Sequence, residues 1–147
     1  MGYYLEAVVA AEDLLRTATT ARLAPLAQGL ALLPMTDDLH DALTVPAAER
    51  LAPFRMLPRG FDRTLAGWSA TGPVAYVEAD FWGGTGDQSV AVWNAGALTL
   101  GPLTAATGSP VSLALRHLGA TGEGHHDEFA AVGLGRHRRT ESWLTGD

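Results

Sequence analysis

From Val74 to Trp93 the chain reads VAYVEADFWGGTGDQSVAVW, with apolar and polar positions alternating about a glycine-rich centre. Strand residues two apart share a face at intervals of about 6.8 Å. Tyr76, Glu78, Asp80 and Trp82 therefore line one side, while Ala75, Val77, Ala79 and Phe81 make a wholly apolar opposite side. The pattern predicts strands at 74–82, 88–94 and 97–101, with Asn94-Ala95-Gly96 as the tight connection between the last two.

Upstream, residues 3–10 read as a first strand and 11–20 as a short helix with Leu14, Leu15 and Ala18 at helical spacing. Two short strands, 23–27 and 30–35, are joined at Gln28-Gly29. Pro25 and Pro34 place them toward sheet edges, because proline donates no ladder hydrogen bond. Thr36 followed by Asp37 and Asp38 is a helix start: a cap, then negative charge in the first turn. That helix runs through Leu39, Ala42 and Leu43. Pro46, Pro53 and Pro58 make 45–58 an irregular crossing, and Phe61, Leu65 and Trp68 give a helix face ending before Gly72-Pro73. Ser109-Pro110 caps a helix with Val111, Ala114, Leu115 and Leu118 on one face, ending at Gly119. Further helical pieces are predicted around 127–132 and 140–144.

Runs of strands followed by runs of helices argue for an α+β fold. The expectation is a single domain spanning 1–147, with a mostly antiparallel sheet of about five to six strands packed against helices on one face. No repeat, low-complexity block or interdomain linker interrupts the chain.

Composition narrows the class. The chain has 147 residues, 47% of them hydrophobic, which suits one domain with one real core. Cysteine is absent, which removes disulfides, thiolate zinc sites and cysteine nucleophiles together. The opening MGYYLEAVVAAEDLLR lacks a basic n-region and is broken by Glu6, Glu12 and Asp13, so neither a signal peptide nor a membrane span is expected and the localisation expected is cytoplasmic. Every basic residue is Arg, Lys and Ile are absent, and Asn94 is the sole Asn. That bias reads as GC-rich coding rather than as selection for phosphate recognition. Net charge is −6, with −2 over residues 1–73 and −4 over 74–147. Nucleic-acid binders carry a basic surplus because counterion release drives their affinity, so nucleic acid is not an expected partner.

Glu78 and Asp80 are the candidate catalytic carboxylates, since neighbouring acids push one pKa up, divide acid and base roles, or share a divalent cation. The plainer reading is the solvated outer face of a hairpin, which alternation on a one-sided sheet produces. As a partner-binding face, Tyr76, Glu78, Asp80, Trp82 and Trp93 need no catalytic geometry, and aromatics are enriched at interaction hot spots. Binding therefore ranks above catalysis.

Gly83-Gly84-Thr85-Gly86 lacks the Lys-Ser/Thr ending of a phosphate loop and leads into a strand, so a turn explains it better. His125, His126, His137 and Glu141 are metal-ligand types, with His137 and Glu141 at i, i+4. Arg136, Arg138 and Arg139 around His137 oppose a cation there, and no HExxH spacing fixes a known site. No cofactor is expected. The basic cluster 136–139 is short, and pairing with Glu123, Asp127, Glu128 and Glu141 is favoured for it. No GxSxG elbow is present; Gly67-Trp68-Ser69-Ala70-Thr71-Gly72 has the wrong spacing.

Two segments, YVEADFWGGTGDQSVAVWNAG (76–96) and DEFAAVGLGRHRRTESW (127–143), resemble a family of small uncharacterised bacterial proteins seen especially in actinobacteria. The resemblance spans most of the chain and carries no activity, cofactor or functional residue across. Size, acidity and the α+β plan are also similar, generically, to immunity proteins of bacterial toxin systems. The expectation is a non-enzymatic protein-binding module of immunity or antitoxin-inhibitor type that meets a basic protein such as a toxin. The competing expectation is a small metal-dependent hydrolase or ligand-binding enzyme using Glu78 and Asp80 with histidines from 125–137.

Overall fold

The ten-residue run Gly2–Ala11 forms the central strand, β1, because its alternation supplies an apolar set to each side at once. Tyr3, Leu5, Ala7 and Val9 point to one face, and Tyr4, Glu6, Val8 and Ala10 to the other. The computed structural model describes residues 2–82 and 85–145. Around β1 a six-stranded, wholly antiparallel sheet is built from β2 (Ala24–Pro25), β3 (Leu30–Pro34), β4 (Val74–Trp82), β5 (Thr85–Asn94) and β6 (Ala97–Ala105). The strand order is β2-β3-β1-β4-β5-β6, and the expected α+β architecture is observed. Pro25 lies on the outermost strand and Pro34 ends β3, as a missing N–H requires.

Helices lie on both faces of the sheet rather than on one. The first face packs Tyr3, Leu5, Val77 and Val90 against α4 (Pro110–His117), α5 (Glu128–Val132) and α6 (Ser142–Thr145). The second packs Val8, Leu33, Tyr76 and Trp93 against α1 (Glu12–Ala18), α3 (Phe61–Trp68) and the proline-rich crossing. The seven-residue α2 (Asp37–Leu43) buries no side chain fully, and its Thr36 cap accepts from the Leu39 N–H at 3.3 Å. The crossing at 45–58 is expected to be irregular, with no buried residue singled out in it. Instead Phe54 and Leu57 are buried in the second core, and Phe54 meets Tyr76 edge-on at 5.1 Å.

One more arrangement positions the candidate site. β3 gives out at Pro34, opposite Ala7, which leaves the first half of β1 without a strand on that side. The C-terminal segment takes the free edge. The Tyr4 N–H donates to the Arg138 carbonyl at 2.9 Å, and the Glu6 N–H donates to Thr140 Oγ1 at 3.1 Å. The Tyr3 hydroxyl donates to the Leu134 carbonyl at 2.9 Å, so the two ends of the chain are stitched together. Among the described residues no helix is long and apolar enough to cross a membrane.

Candidate functional site

Register places the polar residues of the second face in rows across the sheet. Glu6 on β1, Glu78 on β4 and Ser89 on β5 form one row, with Thr104 of β6 beyond Ser89. Tyr4, Asp80 and Asp87 form the next row, and Gly2, Trp82 and Thr85 the last. The crossing covers the end of this face that carries Tyr76. The end that carries Trp82 is open.

Glu78 is a covered carboxylate, only 5% exposed. Its Oε1 accepts from the Arg55 N–H at 2.9 Å, and its Oε2 from the Met56 N–H at 2.8 Å and the Tyr76 hydroxyl at 2.9 Å. Two backbone donors of the crossing and one buried phenol would otherwise be left unsatisfied, so Glu78 is the clamp that holds the crossing on the sheet. Burial, and then the adjacent Glu78 charge, push the Tyr76 hydroxyl well above its ordinary value, so it remains a donor. Glu6 stands directly opposite Glu78. Burial first, then the Glu78 carboxylate, push the Glu6 carboxyl up to about 7, with Arg55 pulling against them.

Asp80, two residues along the same strand, is exposed. The Arg55 guanidinium donates to its Oδ2 at 3.1 Å, with both groups at least half in solvent. Asp87 stands directly across from Asp80, also exposed. Beside them Trp82 is 69% exposed, by far the largest apolar surface offered to solvent among the described residues. Asp80, Trp82 and Asp87, with Arg55, Ser89 and Thr104, edge an open cleft of about 370 Å³. Ser89 and Thr104 hydrogen-bond each other at 2.9 Å on its floor. Gly86 permits this hairpin: with φ +146°, any Cβ there would collide with the Asp80 carbonyl oxygen. Gly83 and Gly84 of the glycine-rich segment lie outside the described residues.

A second cleft, of about 410 Å³, lies on the β1 side of the same tryptophan and is lined by Gly2, Tyr4, Asp80, Trp82, Arg138 and Arg139. Segments 76–96 and 127–143 thus meet in space, through arginines. The Tyr4 hydroxyl donates to Glu141 at 2.7 Å. Of the basic cluster, Arg136 donates to the Pro25 and Gly133 carbonyls and lies over the Trp143 ring. The expected pairing of the cluster with acids is absent for Arg138 and Arg139, whose exposed guanidiniums have no ion-pair or hydrogen-bond partner among the described residues. Glu128 pairs instead with Arg116 at 2.9 Å, which holds its carboxyl below the usual range.

Of the five residues expected on a partner-binding face, Asp80 and Trp82 are exposed together. Tyr76, Glu78 and Trp93 are buried under the crossing and α3, Glu78 reaching only the wall of the cleft at Trp82, which corrects the expectation of a solvated outer face. His125 and His126 occupy the exposed loop before α5, on the first-face side of the molecule, and the His137 ring packs on Trp143 at 4.7 Å. None of the three lines either cleft at Trp82. Among the described residues no group of three or more His, Asp or Glu side chains is arranged to hold a metal ion.

Four residues of the site were not singled out from the sequence. Asp87 had a signal: pairing of Trp82 with Thr85 sets Asp80 opposite Asp87, one residue ahead of the strand expected at 88–94. Glu6 had one too, as the lone acid in an apolar strand. Arg55 and Tyr4 had none, because their positions depend on pairings far away in the chain. A larger groove, about 760 Å³, lies elsewhere, between α1 and residues 67–73, and is lined mainly by apolar groups such as Leu14, Trp68 and Pro73. No known protein family, curated protein or solved structure gives a match to the chain.

Proposed function

We propose that the protein is a non-enzymatic protein-binding module, an inhibitor of the kind immunity proteins exemplify, that engages a basic partner through the cleft at Trp82, Asp80 and Asp87. The observation that carries this reading is the exposed tryptophan set beside two carboxylates directly opposite each other on β4 and β5. Like charges directly opposite on neighbouring strands are unfavourable, and among the described residues an arginine offsets the charge of Asp80 but not that of Asp87. A guanidinium or ammonium from a partner relieves that repulsion and gains from the face of Trp82. The test is purification of the tagged chain from its native source, with stoichiometry measured on the recovered complex. A one-to-one complex with a basic protein whose toxicity appears on deletion of this gene supports the reading. Recovery of the chain alone, with no toxicity on deletion, contradicts it.

A second reading, a small enzyme using Glu78 and Asp80, draws on Glu6. A carboxyl held up to about 7 opposite another carboxylate is in the range where general acid and base groups operate. If metal-assisted, it predicts thermal stabilisation by a divalent ion, lost in Glu78→Ala/Asp80→Ala. Unchanged melting across several divalent ions would remove the metal-dependent form.

A further inference from the structure

Trp82 sits on a divide between opposite charges. Across the strand order β1-β4-β5, the β1 side carries Arg138 and Arg139, whose guanidiniums have no ion-pair partner among the described residues, and the β5 side carries Asp87 opposite Asp80. The two clefts share Asp80 and Trp82 as their common wall. Gly2 lets the indole rest against β1, since a Cβ there would come within 2.8 Å of the ring. The tryptophan is thereby held on the boundary with most of its surface free.

We infer that this surface is self-complementary and closes on a second copy of the chain in a two-fold dimer. An axis through Trp82, running along β4 in the plane of contact, exchanges the β1 and β5 sides. It brings the two indoles together and sets Arg138 and Arg139 of one protomer against Asp87 and Asp80 of its partner, twice over, as an isologous interface requires. Arg55 already occupies one Asp80 oxygen, so Asp87 is the principal acid of the contact. A basic group of another protein answers the β5 side alone, whereas a second copy answers both sides. Dimer and partner complex are alternative uses of one surface. The dimer does not rest on the functional reading, because it is measured on the pure chain.

The experiment is sedimentation equilibrium of the purified chain over micromolar to millimolar concentration at low salt. The wild type is expected to rise to twice its monomer mass, and added salt to weaken the association, as exposed charge pairs require. Asp87→Arg and Arg138→Glu/Arg139→Glu each set like charges against each other and are expected to stay monomeric. Mixed in equal amounts they present opposite charges again and recover the dimer mass. Trp82→Ala is expected to weaken association at least tenfold. Circular dichroism identifies any reversal variant that fails to fold. For such a case Asp87→Asn and Arg139→Gln carry the same test, each weakening association at least threefold. A wild type that is monomeric throughout overturns the dimer and leaves the partner reading standing. Variants that dimerise as well as wild type, or folded charge-reversed variants that do not recover on mixing, overturn it too.

Discussion

Glu78 and Asp80 stand two residues apart on one strand and one face, yet their surroundings have little in common. At Glu78 the proline-rich crossing lies on the sheet, and three donors converge on a buried carboxylate. At Asp80 the same face is open, and one arginine reaches it through solvent. Alternation sets which way a side chain points. It does not decide whether anything arrives to cover it. The covered end of β4 is architecture, and the open end is the surface available for recognition.

Removing the cover should have the largest effect. Phe54→Ala deletes a ring that is 3% exposed and packed edge-on to Tyr76, and is expected to cost about 3–5 kcal/mol in urea denaturation. A loss near zero would mean that the crossing does not belong to the core. Next comes Glu78→Gln, which puts an amide where three donors need a carboxylate and is expected to cost about 3 kcal/mol. The same denaturation series checks it, and a variant as stable as wild type would return Glu78 to the list of functional acids.

Glu6 sharpens the comparison through pH. Its folded carboxyl is raised from 4.5 to about 7, so the folded state holds its proton more tightly than the unfolded chain does. The resulting stabilisation is full below about 4.5 and is lost as pH rises through about 7. Glu78 on β4 and Glu141 in the terminal segment face Glu6 with like charge, and Arg55 in the crossing and Thr140 oppose them. Glu6→Gln keeps a neutral side chain at every pH. Its stability relative to wild type should therefore grow across that window, read from urea midpoints at several pH values. A difference that stays flat would show that Glu6 titrates at an ordinary carboxyl value.

The smallest effect is expected at the open end. Asp80→Asn removes one solvent-exposed ion pair and should change stability by less than about 1 kcal/mol. A loss as large as that of Glu78→Gln would erase the distinction between the two ends.

Much of the fold was legible because it is local. The Tyr3–Ala10 alternation, the Thr36 cap and the Ser109-Pro110 start each depend on neighbouring residues, and the corresponding elements appear within a few positions. The hairpin was legible in outline, although β5 begins at Thr85 and β6 continues to Ala105, past the end expected at residue 101. The second covered face was not legible. Residues 45–58 carry three prolines and no period, and nothing local says that Phe54 and Leu57 turn inward or that the N–H groups of Arg55 and Met56 find Glu78. The site was half legible for the same reason. Asp80 and Trp82 stood out as an acid and an aromatic at strand spacing, while Arg138 and Arg139 reach them only because β3 stops at Pro34 and leaves an edge for the C-terminal segment to fill.

The central claim is that the open end at Trp82 recognises a protein while the covered end holds the fold. Calorimetric titration of the co-purified partner into wild type and Trp82→Ala tests it most directly. The account predicts an affinity at least about tenfold weaker for Trp82→Ala, with an unchanged urea midpoint. Equal affinity for the two proteins would contradict it.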